Sequence, residues 1–171
     1  NHQEIIDFIN ENKPDALDEV NNILKKIINN KNIVFIKSTK SQLLFTTSKI
    51  QEITYYNKIK RDALEESFVF ELRLNPESGR ISFKTVICPT DPEYDNTKIT
   101  NLVIEATNST RKLGLKWKVP HISHYDFNFH NDNEEEIESN FESILEEIIP
   151  IINKIEHKLM DHKEELLKLK E

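Results

Sequence analysis

A chain of 171 residues, 37% hydrophobic and 31% charged, is long enough to bury a real core and fits a single domain. No apolar run approaches the roughly 18 residues that a membrane span needs, no basic stretch precedes an apolar one as in a secretory signal, and the single Cys88 excludes an internal disulfide framework. We therefore expect a soluble protein of the cytoplasm, with no membrane partner. The net charge of −7 is divided unevenly, as −3 over residues 1–30, +4 over 31–126 and −8 over 127–171. A mildly basic middle between acidic ends can offer nucleic acid its central surface only, because the acidic tail repels phosphate. The chain begins at Asn1 rather than Met, which suggests a piece of a longer protein.

Residues 3–29 read as helix in two pieces. Ile5, Ile6 and Ile9 share a face of the first, Pro14 suits the first turn of the second, and Leu17, Val20, Leu24, Ile27 and Ile28 keep helical spacing. Val34 and Ile36, then Leu43 to Thr47, suggest two short strands around a Lys/Ser/Thr turn. Ser48 to Glu66 mixes helical and strand-like spacings and reads as a loop with a short strand or helical turn.

The clearest local signal runs from Ser67 to Asp91. Phe68, Phe70, Leu72 and Leu74 alternate with Val69, Glu71 and Arg73, and Ile81, Phe83, Thr85 and Ile87 alternate with Ser82, Lys84, Val86 and Cys88. Period-2 patterns joined by Asn75-Pro76-Glu77-Ser78-Gly79-Arg80 predict a long β-hairpin, ending sharply at Pro89. Asp95-Asn96 then caps a predicted helix through Ile99, Leu102, Val103, Ala106 and Leu113, with Gly114 as its terminator. Strands are expected over Leu115–Val119 and again where Tyr125, Phe127 and Phe129 alternate with polar residues. From Asn131 a long acidic helix is predicted through Glu171, with Phe141, Leu145, Ile148, Ile152, Ile155, Leu159, His162, Leu166 and Leu169 forming a heptad seam and Pro150 opposite it. That seam can pack within the chain or pair with a second copy.

Candidate chemistry is sparse. His121, His124, Asp126, His130 and Asp132 crowd one segment, yet their spacing fits no standard metal motif and a solvated strand face accounts for them equally well. Pro14-Asp15, Glu156-His157-Lys158 and Asp161-His162-Lys163 spell fragments of a nuclease signature, but they fall in helices at opposite ends of the chain, where they cannot share Mg²⁺. Cys88 has no nearby histidine to activate it, and Gly79 and Gly114 are the only glycines, so no glycine-rich phosphate loop exists. We assign no catalytic residue, no metal ligand and no cofactor to this chain. The one basic-aromatic cluster is Arg111, Lys112, Lys116, Trp117 and Lys118, a set that can hold phosphates and stack a base. The competing reading makes Trp117 a core residue, with the lysines on the exposed side of a strand.

Three stretches occur in an order that resembles the C-terminal region of a family in the PD-(D/E)XK nuclease superfamily of bacterial and phage proteins. They are Val86-Ile87-Cys88-Pro89-Thr90-Asp91 closing the hairpin, Arg111 to Trp117, and Phe141 to Glu156. The resemblance extends over 32–156 and departs from the family where a glycine-containing turn would replace Cys88 and Thr90. It implies a nuclease core upstream, so no catalytic residue transfers to this chain. It also implies an accessory role behind a Mg²⁺-dependent nuclease, in genome defence.

The expectation is thus one α+β domain over 1–171, with N-terminal helices over 1–30, a sheet with one helix over 31–130 and a long helix over 131–171. Its antiparallel sheet is centred on the hairpin, and helices pack on it. Its expected role is an accessory domain that contacts DNA through Arg111, Lys112, Lys116, Trp117 and Lys118, or else an oligomerisation domain that uses the final helix.

Overall fold

The computed structural model describes residues 16–29, 33–61 and 64–171. In chain order these form α1 (Ala16–Asn29), β1 (Ile33–Ser38), β2 (Gln42–Thr47), α2 (Ser48–Ile53), β3 (Tyr56–Arg61), β4 (Leu64–Glu66), β5 (Phe68–Asn75), β6 (Arg80–Ile87), α3 (Thr97–Thr107), β7 (Lys118–Asp126), α4 (Glu134–Met160) and α5 (Lys163–Lys168). The expected first helical piece and Pro14 lie outside the described residues. Five strands make one antiparallel sheet in the order β1-β2-β5-β6-β7, and β3 pairs separately with β4. The fold is α+β, with the hairpin strand β5 in the middle of the sheet.

The period-2 pattern decides which face is covered. Leu43 and Phe45 of β2, Phe68, Phe70, Leu72 and Leu74 of β5, and Ile81, Phe83 and Ile87 of β6 point the same way and join one core with the helices. Val20 and Leu24 come from α1, Ile50 and Ile53 from α2, Leu102 and Val103 from α3, and Phe141 to Leu159 from α4. Phe70 sits at the centre, with ring centroids 5.5 Å from Phe45, 5.1 Å from Phe68 and 5.6 Å from Phe83. Burying each such side chain contributes about 1.5–3 kcal/mol, which makes this face the main source of stability. The hairpin turn closes through a 3-10 turn at Pro76–Ser78, with Gly79 at φ 61°, a left-handed conformation that glycine adopts without cost.

Four expectations are corrected. The segment before the hairpin holds both a short helix and a two-stranded hairpin: Thr47 caps α2 by accepting from the Ile50 N–H at 3.2 Å, while its hydroxyl donates to Glu156 on α4 at 2.6 Å. The helix that begins at Thr97 ends at Asn108 rather than Gly114. Asn108 takes φ 50°, its N–H donates to Glu105 O at 3.4 Å and the Ser109 N–H donates to Ile104 O at 3.1 Å, the pair of bonds that closes a Schellman end. Asparagine tolerates this left-handed conformation, so it stops the helix about one and two-thirds turns early.

The two strands expected after the helix are one, β7, running through Pro120 at the sheet edge, where a missing N–H is tolerated. Gly114 serves a tight turn before it: a Cβ there would lie 2.5 Å from the Trp117 carbonyl oxygen. Leu115, expected within that strand, lies before it at this turn and is fully exposed. Phe127 and Phe129 lie past the strand end but are buried, held by a bond from Phe127 N–H to Gly79 O at 2.8 Å and by packing of Phe127 on Phe141.

The final helix is interrupted at Asp161–His162. Up to that break its seam is buried in the chain's own core: Phe141, Leu145, Ile148, Ile152, Ile155 and Leu159 all face inward, and Pro150 lies exposed on the far side. The break lets α5 fold over α2, burying Leu166. Lys163 Nζ meets Glu52 Oε1 at 2.7 Å and Lys170 Nζ meets the Glu52 carbonyl at 2.9 Å. Among the described residues, no helix is long and apolar enough to cross a membrane.

Candidate functional site

The basic-aromatic segment occupies the link between α3 and β7. Ser109 anchors it, its hydroxyl donating to the Pro120 carbonyl, and Arg111 Nε donates to Val119 O at 3.2 Å. These bonds fasten the link along the β7 edge and occupy backbone acceptors that would otherwise be open to another strand. Arg111, Lys112 and Lys116 are all exposed on it. Lys118 differs from the other three: it is half-buried and its Nζ donates to Asn96 Oδ1 at 2.6 Å, so it clips β7 to the start of α3.

Trp117 is half-buried and turns onto the outer face of the sheet, the side away from the helices. There it packs with Leu44, Leu64, Val69, Val86 and Cys88 in a second, smaller apolar cluster. The four named aliphatic side chains and the indole wall a cavity of about 270 Å³, reached also by Lys37 and Gln42. At its base lies Glu71, 7% exposed.

Glu71 is held by register. It stands directly across from Lys84 on β6 and from Leu44 on β2. Its Oε1 receives Lys84 Nζ at 2.8 Å and approaches Arg73 Nε at 3.4 Å, and its Oε2 accepts from Gln42 Nε2 at 2.5 Å. A buried carboxylate costs several kcal/mol unless paired; here two cations and an amide surround it. Sequence reading passed over this residue, although counting back from the Asn75–Arg80 turn pairs Glu71 with Lys84 and marks a charged pair on an otherwise apolar strand.

The hairpin exit is a clasp. Asp91, almost fully buried, accepts from the Tyr55 hydroxyl at 3.0 Å and the Lys58 N–H at 2.8 Å, while its own N–H donates to Asn57 Oδ1 at 3.0 Å. Asn57 Nδ2 completes the loop on Pro89 O at 3.0 Å, and Tyr55 stacks on Tyr94 at 4.2 Å. Cys88 is buried beside this clasp, and burial, with Glu66 and Glu71 nearby, pushes its thiol up to about 12. A thiol this hard to ionise is structural.

The histidine-rich stretch does not converge. His124, Asp126 and His130 are exposed, whereas His121 turns to the helix side, its N–H donating to Thr85 Oγ1 at 3.1 Å and its ring 6.1 Å from Phe83. Burial and the Arg111 charge hold the His121 imidazole below its usual range. Among the described residues, no three His, Cys, Asp or Glu side chains are grouped to hold a metal ion. Comparison with protein-family models, curated proteins and solved structures gives no match to this chain.

Proposed function

We propose that this chain is a non-catalytic accessory domain that binds DNA, of the kind the resemblance to PD-(D/E)XK nuclease proteins implies. The loop Ser109 to Trp117 and the adjoining outer face of the sheet are the contact surface. The observation that carries the reading is the display of Arg111, Lys112 and Lys116 on one exposed loop that ends in the half-buried Trp117 indole, which lines one cavity together with Lys37. The opposite side of the molecule is unsuited to phosphate. The first half of α4 exposes Glu134, Glu135, Glu136, Glu138, Glu142, Glu146 and Glu147, with no base between them. A polyanion is steered to one side by such polarity. The alternative of self-association through the final helix has less surface to draw on, since the seam is buried through Leu159 and Leu166 and only Leu169, 42% exposed, remains open.

The test is fluorescence anisotropy of labelled single-stranded and duplex DNA across a salt series. We expect binding that weakens with salt, and a Lys112→Glu/Lys116→Glu double variant that binds about tenfold or more weakly, with a salt slope shallower by roughly two. Absence of binding at low salt, or an unchanged slope in the double variant, refutes the proposal. Sedimentation of the whole chain at the same concentrations tests the alternative, for which a concentration-dependent dimer would count.

A further inference from the structure

The cavity on the outer face has a composition that selects its occupant. Its walls are the aliphatic side chains of Leu44, Leu64, Val69 and Val86 with the Trp117 indole, and the Glu71 carboxylate, the Gln42 amide and the Lys37 side chain line it as well. A lipid tail would strand those polar groups in an apolar contact. A simple anion would find one lining cation, Lys37, but would leave the aliphatic walls and the indole without a partner. At about 270 Å³ the space lies just under the range of pockets for drug-sized ligands, which suits one ring system rather than a whole nucleotide.

We propose that this cavity takes one unstacked base of a single-stranded nucleic acid. The inference rests on the DNA-binding reading above and specifies its ligand. A nucleobase has a flat apolar face for the Trp117 indole and the aliphatic walls, and an edge with both donors and acceptors for Glu71 and Gln42. Glu71 receives three contacts in the free protein, and a carboxylate offers about four acceptor sites, so one remains for a base N–H. Gln42 adds a second N–H and a carbonyl oxygen. Phosphates flanking an inserted base fall to Arg111, Lys112 and Lys116, because the loop carrying them runs directly into Trp117. In a duplex the bases are stacked and paired, and inserting one would first cost its extrusion. The domain therefore prefers single strands.

Trp117 is the only tryptophan in the chain, so its emission reports on the cavity alone. Titration with a single-stranded oligonucleotide should quench that emission, and an equal length of duplex should leave it nearly unchanged. Leu64→Phe, which fills the cavity, should abolish the quench and weaken single-strand binding roughly tenfold, the scale of one lost base stack, with the salt slope unchanged. Trp117→Phe, followed by anisotropy, should weaken single-strand binding in the same direction and does not depend on the first variant folding. If single strands bind with the expected salt slope but without quenching, and neither variant responds, the cavity inference fails and the DNA-binding reading stands. If no DNA binds, the DNA-binding reading fails first and the cavity inference with it.

Discussion

On the helix side the central strand β5 presents Phe68, Phe70, Leu72 and Leu74; one residue over, on the other side, it presents Val69, Glu71 and Arg73. The inner set shares one core with all five described helices and is sealed among side chains of its own kind. Among the described residues outside the sheet, the outer set meets Leu64 from the small β3–β4 hairpin and Trp117 from the loop, leaving a cavity and a carboxylate held by two cations. A face that served only to keep the sheet soluble would be polar throughout, and one that served only stability would be closed. The outer face is neither: it is apolar in part, charged in part, and leaves a cavity between the two.

The comparison breaks most readily at Phe70. Phe70→Ala should cost about 3–5 kcal/mol in urea unfolding, because a fully buried ring among three other rings leaves a cavity that cannot collapse. Val69→Ala, its neighbour on the outer face, should cost about 2 kcal/mol or less, since the outer cluster is small and already adjoins open space. Equal losses would show that the outer cluster is as essential to the fold as the inner one.

Next in size is the charged network. Glu71→Ala should cost about 1–3 kcal/mol, for it strips Lys84 and Gln42 of their acceptor. Lys84 is partly exposed and can turn to water, so the loss should not reach that of a sealed pair. A double-mutant cycle with Lys84→Ala should return a coupling of at least about 0.5 kcal/mol; additivity would mean that the pair is incidental to stability.

How far these faces were legible in the sequence depended on whether the deciding contacts were local. The hairpin could be read because alternation and a Pro/Gly turn are properties of neighbouring residues; the spacing of the α4 seam marked an apolar face, and only the tertiary packing shows that the chain's own core covers it. The end of α3 was misplaced because Asn108 and Gly114 are both competent terminators, and the nearer one prevails once the Schellman bonds form. Leu115 and Trp117, two residues apart, would share a face of the expected strand; a tight turn at Gly114 sends one into solvent and the other onto the sheet. The basic loop was visible as composition. The cavity beside it was not, because Leu44, Leu64, Val69, Val86 and Trp117 come together only through strand order, and strand order is not written in any single stretch.

Cys88 offers a sharper probe of how closed the outer cluster is. With its thiol pushed up to about 12, iodoacetamide at pH 8 should modify it very slowly in the native protein and quickly in guanidinium, where an ordinary thiol pKa returns. Rapid native labelling would mean that the strand end beside the clasp opens to solvent.

The smallest effect tests whether the inner face is dry to its edge. His121 lies there on β7, beside Phe83 and Thr85, with Arg111 the charge that acts on it. Burial first and Arg111 second lower its folded pKa below 6.5, so as pH falls through 6.5 the unfolded chain takes up a proton that the folded chain resists. Stability should therefore decline from about pH 6.5 downward until the folded pKa is passed, and above pH 7.5 this residue should contribute no pH dependence. The quantity to measure is the difference between the wild type and His121→Gln in thermal midpoint at pH 7.5 and at pH 5.5. The variant should lose less on acidification. Arg111→Gln removes the second cause but not the first, and it should recover part of that difference; full recovery would mean that the arginine rather than burial governs the imidazole, and that the sheet edge is wetter than its packing implies.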